Sequence, residues 1–198
     1  MFRRFSKELS WIQLGWVRSS FLSKALAAIG LAAGVLTGNA DAIENAGFDV
    51  IWSGSVFWGS ITFLAGYLYF ALRVPVEFRR AGEIDEIVGR MSGLTNWLFF
   101  ESRRTLARRL LEKEQNRCWL RAPADAIRFL ENRLAEAEKL HQKNAWSKAA
   151  PGLYQADLNL RQFSEPISRF LVALLFAVGI VLVVLPTLHV IAKALGIL

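Results

Sequence analysis

The sequence predicts an all-α membrane protein: three transmembrane helices, with a helical cytoplasmic insert between the second and the third. Hydrophobic residues make up 54% of the 198 residues, whereas soluble domains usually contain about 45–50%. The excess is concentrated in three windows, residues 19–38, 50–72 and 170–192. The polar region between the last two windows has helical periodicity and few strand signals. Together these observations indicate membrane-spanning helices joined by a helical polar region.

The windows differ in how well they fit a membrane span. The second and third are each 23 residues long and contain no Asp, Glu, Lys or Arg, and a bilayer core of about 30 Å needs ~20 apolar helical residues. The charge-free part of the first runs only from Ala25 to Gly38. It spans the bilayer only if the long side chain of Lys24 reaches back to the headgroups. The alternative for this window is a cleaved secretory signal, because small residues follow its apolar core at 40–42.

Four regions follow from this division. Residues 1–18 mix aromatic and aliphatic side chains with cations, which predicts an amphipathic helix lying at the membrane interface. Residues 19–72 form the predicted transmembrane hairpin, and residues 73–169 form the basic helical cytoplasmic region. Residues 170–198 contain the third transmembrane helix and a short outer tail. Within the cytoplasmic region, residues 146–165 are the least patterned, and we expect a loop there.

Charge is distributed unevenly along the chain and predicts its orientation. Residues 1–24 carry a net charge of +4, the link 39–49 carries −3, and residues 73–169 carry +5. Short loops rich in Lys and Arg stay in the cytoplasm. We therefore expect an integral protein of the bacterial inner membrane, with a cytoplasmic N-terminus, a cytoplasmic middle region and a C-terminus outside. The overall charge of +7 is then largely a topology signal rather than a sign of nucleic-acid binding.

Small residues recur at helical spacing in the first two windows. Helices in lipid associate through close packing and polar contacts, and small residues let their backbones approach. The predicted helix-packing residues are Gly30, Gly34, Gly38, Ser55, Gly59, Thr62 and Gly66. Either the two stripes pack against each other in a hairpin, or they contact another subunit. The third window is rich in Leu, Val, Ile and Phe, which is typical of a lipid-facing helix.

An apolar stripe in the cytoplasmic region predicts a surface for association. Its members are Ile127, Leu130, Leu134 and Ala137, spaced by three or four residues as on one face of a helix. Because the region is short for a large core of its own, we expect this face to pack against a partner or a second copy of the chain.

A dense cluster of cations forms a predicted basic patch. It consists of Arg103, Arg104, Arg108 and Arg109, close to aromatic residues in the sequence. Near a membrane, such a patch attracts anionic lipid, and in the cytoplasm it can bind an acidic protein. The same cluster also fits a solvated helix face, and nucleic acid is the least favoured partner.

The sequence contains none of the common catalytic motifs. Phosphate-binding glycine loops, HExxH, paired cysteines and nucleophile elbows are missing, so we expect no enzyme activity, no cofactor and no metal. The predicted function is assembly through helix–helix contacts, as a sensor, scaffold, effector or accessory subunit in membrane lipid. The alternative is an oligomeric pore-forming or membrane-permeabilising protein that assembles through the glycine face of the first window, Gly30, Gly34 and Gly38.

Overall fold

Helices account for all the regular structure in the described part of the chain. The computed structural model describes residues 9–20, 24, 25, 28, 50–79, 84–91, 96–117 and 121–195. Seven helices and no strands lie within these residues, which confirms the predicted all-α class there. The helices are α1 (Trp11–Ser19), α2 (Val50–Arg73), α3 (Ile84–Met91), α4 (Trp97–Gln115), α5 (Ala124–Gln142), α6 (Trp146–Arg161) and α7 (Pro166–Ala194). A 3-10 turn at Val76–Phe78 follows α2.

The chain divides into two compact units. Met1–Gly15 and Val74–Arg169 form the first, called here the helical unit. Trp16–Arg73 and Phe170–Leu198 form the second, called here the apolar unit. The chain therefore passes from the helical unit to the apolar unit after Gly15, returns at Val74, and passes to the apolar unit again after Arg169.

Two helices are long and apolar enough to cross a membrane, within Gly54–Arg73 of α2 and Pro166–His189 of α7. In the most apolar part of each stretch, only 28% of the residues of the first and 22% of those of the second are buried, and large apolar side chains on both are exposed. This agrees with two of the three predicted spans. Most of the first predicted span, residues 19–38, lies outside the described residues.

The two long helices of the apolar unit pack along a regular seam. The buried residues of α2 are spaced by three and four: Val56, Gly59, Phe63, Gly66 and Phe70. The facing residues of α7 have the same spacing: Val172, Phe176, Gly179 and Val183. A repeat of about 3.5 residues keeps two helices in contact along their length. At the centre of the seam the rings of Phe63 and Phe176 stack with centroids 4.8 Å apart.

Three helices, α4, α5 and α6, supply the core of the helical unit. Its fully buried members come from each of them, for example Phe100, Leu130 and Leu153. Helix α6 is lined by small and medium apolar side chains, which let the neighbouring helices approach it closely: Ala149, Ala150, Leu153, Ala156 and Leu160. Burial of these side chains is the main stabilising term for such a bundle.

The loop expected over residues 146–165 is wrong, because α6 occupies most of that segment. Pro151 lies inside the helix near its start, where its missing N–H removes one helical hydrogen bond. Tertiary packing compensates, since α6 is the most extensively buried helix of the unit. The Pro-Gly pair therefore resembles a helix end in the sequence but does not form one.

Candidate functional site

Four charged side chains from three elements meet inside the helical unit. We call them the charge network: Glu77, Arg103, Asp157 and Arg161. Glu77 lies in the 3-10 turn, Arg103 on α4, and the other two lie one turn apart on α6. The network therefore connects the linker after α2 with two helices of the core.

Asp157 is the centre of this network and is fully buried. Arg103 Nη1 donates a hydrogen bond to Asp157 Oδ2 at 3.0 Å, and Arg161 Nε donates to Asp157 Oδ1 at 3.0 Å. Arg161 Nη1 also donates to Glu77 Oε1 at 3.2 Å, and Arg103 Nη1 lies 4.0 Å from the same oxygen. Each carboxylate is thus shared by both guanidinium groups, as a stable buried ion network requires.

Aromatic rings border the network on the side of Arg103. Its guanidinium carbon lies 4.7 Å from the ring centroid of Tyr154 and 5.1 Å from that of Phe99. The two rings meet edge to face, with centroids 5.5 Å apart. The proximity of Arg103 to both rings adds cation–π attraction to its ion pair.

Burial changes the acid–base properties of the site. It raises the pKa of Asp157, while the charges and hydrogen bonds of Arg161 and Arg103 act in the opposite direction. Burial also raises the pKa of Tyr154, and the positive charge of Arg103 opposes that shift. The network consists of two guanidinium groups and two carboxyl groups bound to each other, and it joins the turn after α2 to α4 and α6.

The structure separates the predicted basic patch into individual ion pairs. Arg103 belongs to the charge network, Arg104 pairs with Glu101 at 2.7 Å, and Arg108 pairs with Glu138 at 2.7 Å. Arg109 is exposed and forms no ion pair with a described residue. Most of the positive charge in this patch is therefore neutralised within the chain.

The predicted association face of α5 lies in the core of the helical unit. Leu130 and Ala137 are fully buried, Leu134 is 8% exposed, and Ile127 packs against the same cluster. Helices α4 and α6 of the same chain cover these residues, so they form no exposed surface in the structure.

Two of the four predicted packing residues of α2, Gly59 and Gly66, lie against the helix of the third window. A methyl group added at Gly59 would lie 2.8 Å from Leu182 Cβ, and one added at Gly66 would lie 2.9 Å from the ring of Phe176. Ser55 and Thr62 are half-buried on the same helix, and Thr62 Oγ1 donates to the carbonyl of Trp58. Gly30, Gly34 and Gly38 lie outside the described residues.

Sequence reasoning missed the charge network and a buried arginine, Arg169. The sequence contains one indication of Asp157 and Arg161 as a pair, because opposite charges four residues apart can form an ion pair on a helix. Glu77 and Arg103 come from distant parts of the chain, and no local pattern connects them to that pair. Arg169 resembles an ordinary cation at the end of a membrane span.

Arg169 forms what we call the N-terminal clamp, together with Leu9, Trp11 and Gln162. Arg169 is 1% exposed and donates hydrogen bonds to the carbonyls of Leu9, Phe163 and Ser164, the last at 2.9 Å. The N–H of Trp11 donates to the carbonyl of Gln162 at 3.0 Å, and the Trp11 side chain is fully buried. The clamp holds the start of α1 against the turn between α6 and α7.

Replacing Arg169 with Met is expected to release the start of α1. A hydrogen bond from a charged group contributes about 1.5–3 kcal/mol, so loss of the guanidinium should speed amide exchange at Trp11 by at least about tenfold. Hydrogen exchange measured by mass spectrometry on residues 9–14 tests this. Arg128→Met, at an exposed position on α5, is the control. Unchanged exchange in the Arg169 variant would show that the clamp does not hold the segment.

Among the residues that the structure describes, no group of three or more His, Cys, Asp or Glu side chains could hold a metal ion. No protein-family model matches the chain, and neither the curated proteins nor the solved structures contain a significant match to it. The chain's own geometry is therefore the basis for inferring its function.

Proposed function

We propose that this chain is an integral membrane protein that works by binding and assembly rather than by catalysis. The observation that carries the proposal is the uncovered apolar surface of the two long helices. On α2 it includes Leu64, Leu68 and Leu72, the last 78% exposed; on α7 it includes Leu185 and Leu188, 60% and 55% exposed. Soluble monomers rarely leave apolar patches of this extent uncovered, whereas lipid tails solvate them.

The N-terminal clamp supports a topology of three spans. It joins residues 9–11 to residues 162–169, so both lie on the same side of the membrane. If α2 crosses the bilayer once, a cytoplasmic start of the chain requires another crossing before α2, and we assign it to the first predicted span, residues 19–38. Helix α7 then provides a third crossing and carries the C-terminus to the opposite side. The contact between residues 9–11 and residues 162–169 supports three spans without any use of the hydropathy of the first window.

Charge supports the cytoplasmic side for the helical unit. Residues 73–169 carry a net charge of +5, and the link 39–49 carries −3. The positive-inside bias then favours a cytoplasmic helical unit and an external C-terminus in a bacterial inner membrane.

An assembly function needs surface that the chain does not use itself. Helix α5 offers little, because its apolar face is buried. The start of α4 offers more, since Trp97 is 41% exposed and Leu98 is 76% exposed. We place the contact with a partner protein at this end of the helical unit, as expected for a scaffold, sensor or accessory subunit. No described residue favours the pore alternative, since Gly59 and Gly66 pack within the chain.

The topology can be tested with single cysteines in a Cys118→Ala background. Lys139→Cys in the helical unit should react with a membrane-impermeant maleimide only after spheroplasts are lysed. Leu195→Cys should react in intact spheroplasts, because it follows the third span. Both positions are exposed, so access and not burial decides the labelling. Equal labelling of both positions in intact spheroplasts, or a chain extracted without detergent, would refute the proposal.

A further inference from the structure

An aromatic surface lies where α4 and α6 begin. Trp97 is the first residue of α4 and Trp146 is the first residue of α6, and their rings meet edge to face with centroids 5.7 Å apart. The ring of His141, in the last turn of α5, stacks on that of Trp97 with centroids 5.1 Å apart. Leu98 is the next residue of α4 and is 76% exposed. We call Trp97, Leu98, His141 and Trp146 the aromatic end.

The aromatic end is fixed to the core of the helical unit. The fully buried ring of Phe100 lies 5.8 Å from that of Trp146 and 6.2 Å from that of His141, measured between centroids. Three helices therefore hold the ring of Trp97 in place while 41% of that residue stays exposed. A rigid aromatic surface loses little conformational freedom when it binds, which favours a specific contact.

Unpaired positive charge borders the aromatic end. Residues 139–148 contain three lysines and no Asp or Glu. Lys143 and Lys148 are exposed, and neither forms an ion pair with a described residue. Each follows an aromatic residue of the surface by two positions, so its Cα atom lies within about 7 Å of that residue's Cα atom. The first turns of α4 and α6 contain no acidic residue, so nothing there offsets the positive ends of the two helices.

The apolar part of this surface is short. Further along α4, the exposed residues on the same face as Leu98 are polar: Ser102, Thr105 and Arg109. A helix that lies in the membrane interface carries a long apolar face, typically over several turns. The confinement of exposed apolar side chains to the first turn of α4 therefore favours a small protein segment over a lipid surface.

We propose that the aromatic end binds an acidic segment of a partner protein that carries an apolar anchor. The proposal rests on the assembly function proposed above and adds the chemistry of the partner to it. The anchor packs on Trp97 and Leu98, and the acidic side chains pair with Lys143 and Lys148. This surface differs from the predicted basic patch, in which Arg103, Arg104 and Arg108 are paired within the chain.

Peptide binding to the full chain in phosphatidylcholine nanodiscs tests the proposal. An environment-sensitive fluorophore is attached at Ser102→Cys in a Cys118→Ala background, because Ser102 is exposed one turn after Leu98. Three short peptides of equal length are compared, composed of Glu and Leu, of Lys and Leu, and of Glu and Ser. Only the Glu–Leu peptide should give a saturable change in fluorescence.

Substitutions separate the apolar contact from the charged one. Leu98→Gln should weaken binding of the Glu–Leu peptide by at least about tenfold, since burying a leucine contributes about 1.5–3 kcal/mol. Lys143→Glu and Lys148→Glu should each weaken it by at least about fivefold, because attraction is replaced by repulsion. Arg109→Glu is the matched control. It makes the same change of charge on an exposed, unpaired cation, but lies about 16 Å from Leu98 along the helix axis, where salt screens its effect.

Three results would overturn the proposal. One is equal binding of the Glu–Leu and Lys–Leu peptides, or no binding of either. Another is an equal effect of Lys143→Glu and Arg109→Glu. The third is a change in fluorescence without peptide when phosphatidylglycerol replaces phosphatidylcholine, because it would assign the surface to anionic lipid. Recovery of the chain in nanodiscs is scored first, so a failure of membrane insertion is distinct from a failure of peptide selectivity.

Discussion

Replacing Asp157 with Leu is expected to destabilise the helical unit by about 3–5 kcal/mol. The substitution leaves Arg103 and Arg161 partly buried with only Glu77 to share between them. Removing one partner of a buried ion network leaves uncompensated charge in a medium of low dielectric constant, which accounts for this magnitude. Urea unfolding of the protein in detergent micelles, followed by far-ultraviolet circular dichroism, measures the loss.

Glu138→Gln is the control for this substitution. Glu138 also pairs with an arginine, Arg108, but the two side chains are 42% and 50% exposed. Exposed pairs contribute about 0–1 kcal/mol, so the control should hardly change the unfolding curve. Equal losses of unfolding free energy in the two variants would mean that burial does not strengthen the charge network. A loss below about 1 kcal/mol for Asp157→Leu would show that the charge network does not stabilise the helical unit.

Replacing Gly179 with Ala is expected to weaken the pairing of α2 and α7 by about 1–3 kcal/mol. A methyl group at this position would lie 2.8 Å from the backbone oxygen of Gly59 and 2.9 Å from the backbone nitrogen of Phe63. Backbone atoms of a helix cannot move aside separately, so the two helices must shift apart and lose packing. Titration with a denaturing detergent, monitored by the rate of cross-linking between cysteines placed on the two helices, measures the change.

Gly54→Ala is the matched control on the same pair of helices. An added methyl group there meets no atom within 4 Å. We expect the stability of the helix pair to change by less than about 1 kcal/mol. The change should be stabilising, because alanine has a higher helix propensity than glycine. If Gly179→Ala behaves like Gly54→Ala, close backbone approach does not hold the seam together.

Hydropathy and periodicity were sufficient to predict the class of the fold and the two described helices that are long and apolar enough to cross a membrane. Both are local properties: long apolar windows, and residues such as Leu130 and Leu134 on one face of a helix. The partners of those faces were not predictable in the same way. A stripe on α5 shows that something covers it, but the sequence does not say whether α4, α6 or another molecule does.

The same distinction applies to the sites. Gly59 and Gly66 were predicted as packing positions, and in the structure Gly59 lies against Gly179 of α7 and Gly66 against Phe176 of α7. The prediction treated that helix as lipid-facing because its small residues are few. The charge network depends on Glu77 and Arg103, which are far apart in the chain, so only the folded arrangement reveals it. Helix α6 was missed because Pro151 and Gly152 have low helix propensity, which tertiary burial overrides.

The N-terminal clamp also constrains the order in which the protein can be made. Trp11 leaves the ribosome early, but its acceptor at Gln162 and the guanidinium of Arg169 are synthesised only after most of the chain. During that interval the backbone N–H of Trp11 lacks its acceptor at Gln162, and the carbonyl of Leu9 lacks its donor at Arg169. Translation past Arg169 is therefore required before the clamp can form, which makes its formation a late step that follows synthesis of α2. A nascent chain arrested before Gln162 should keep this tryptophan accessible to a quencher, and one released after Arg169 should bury it.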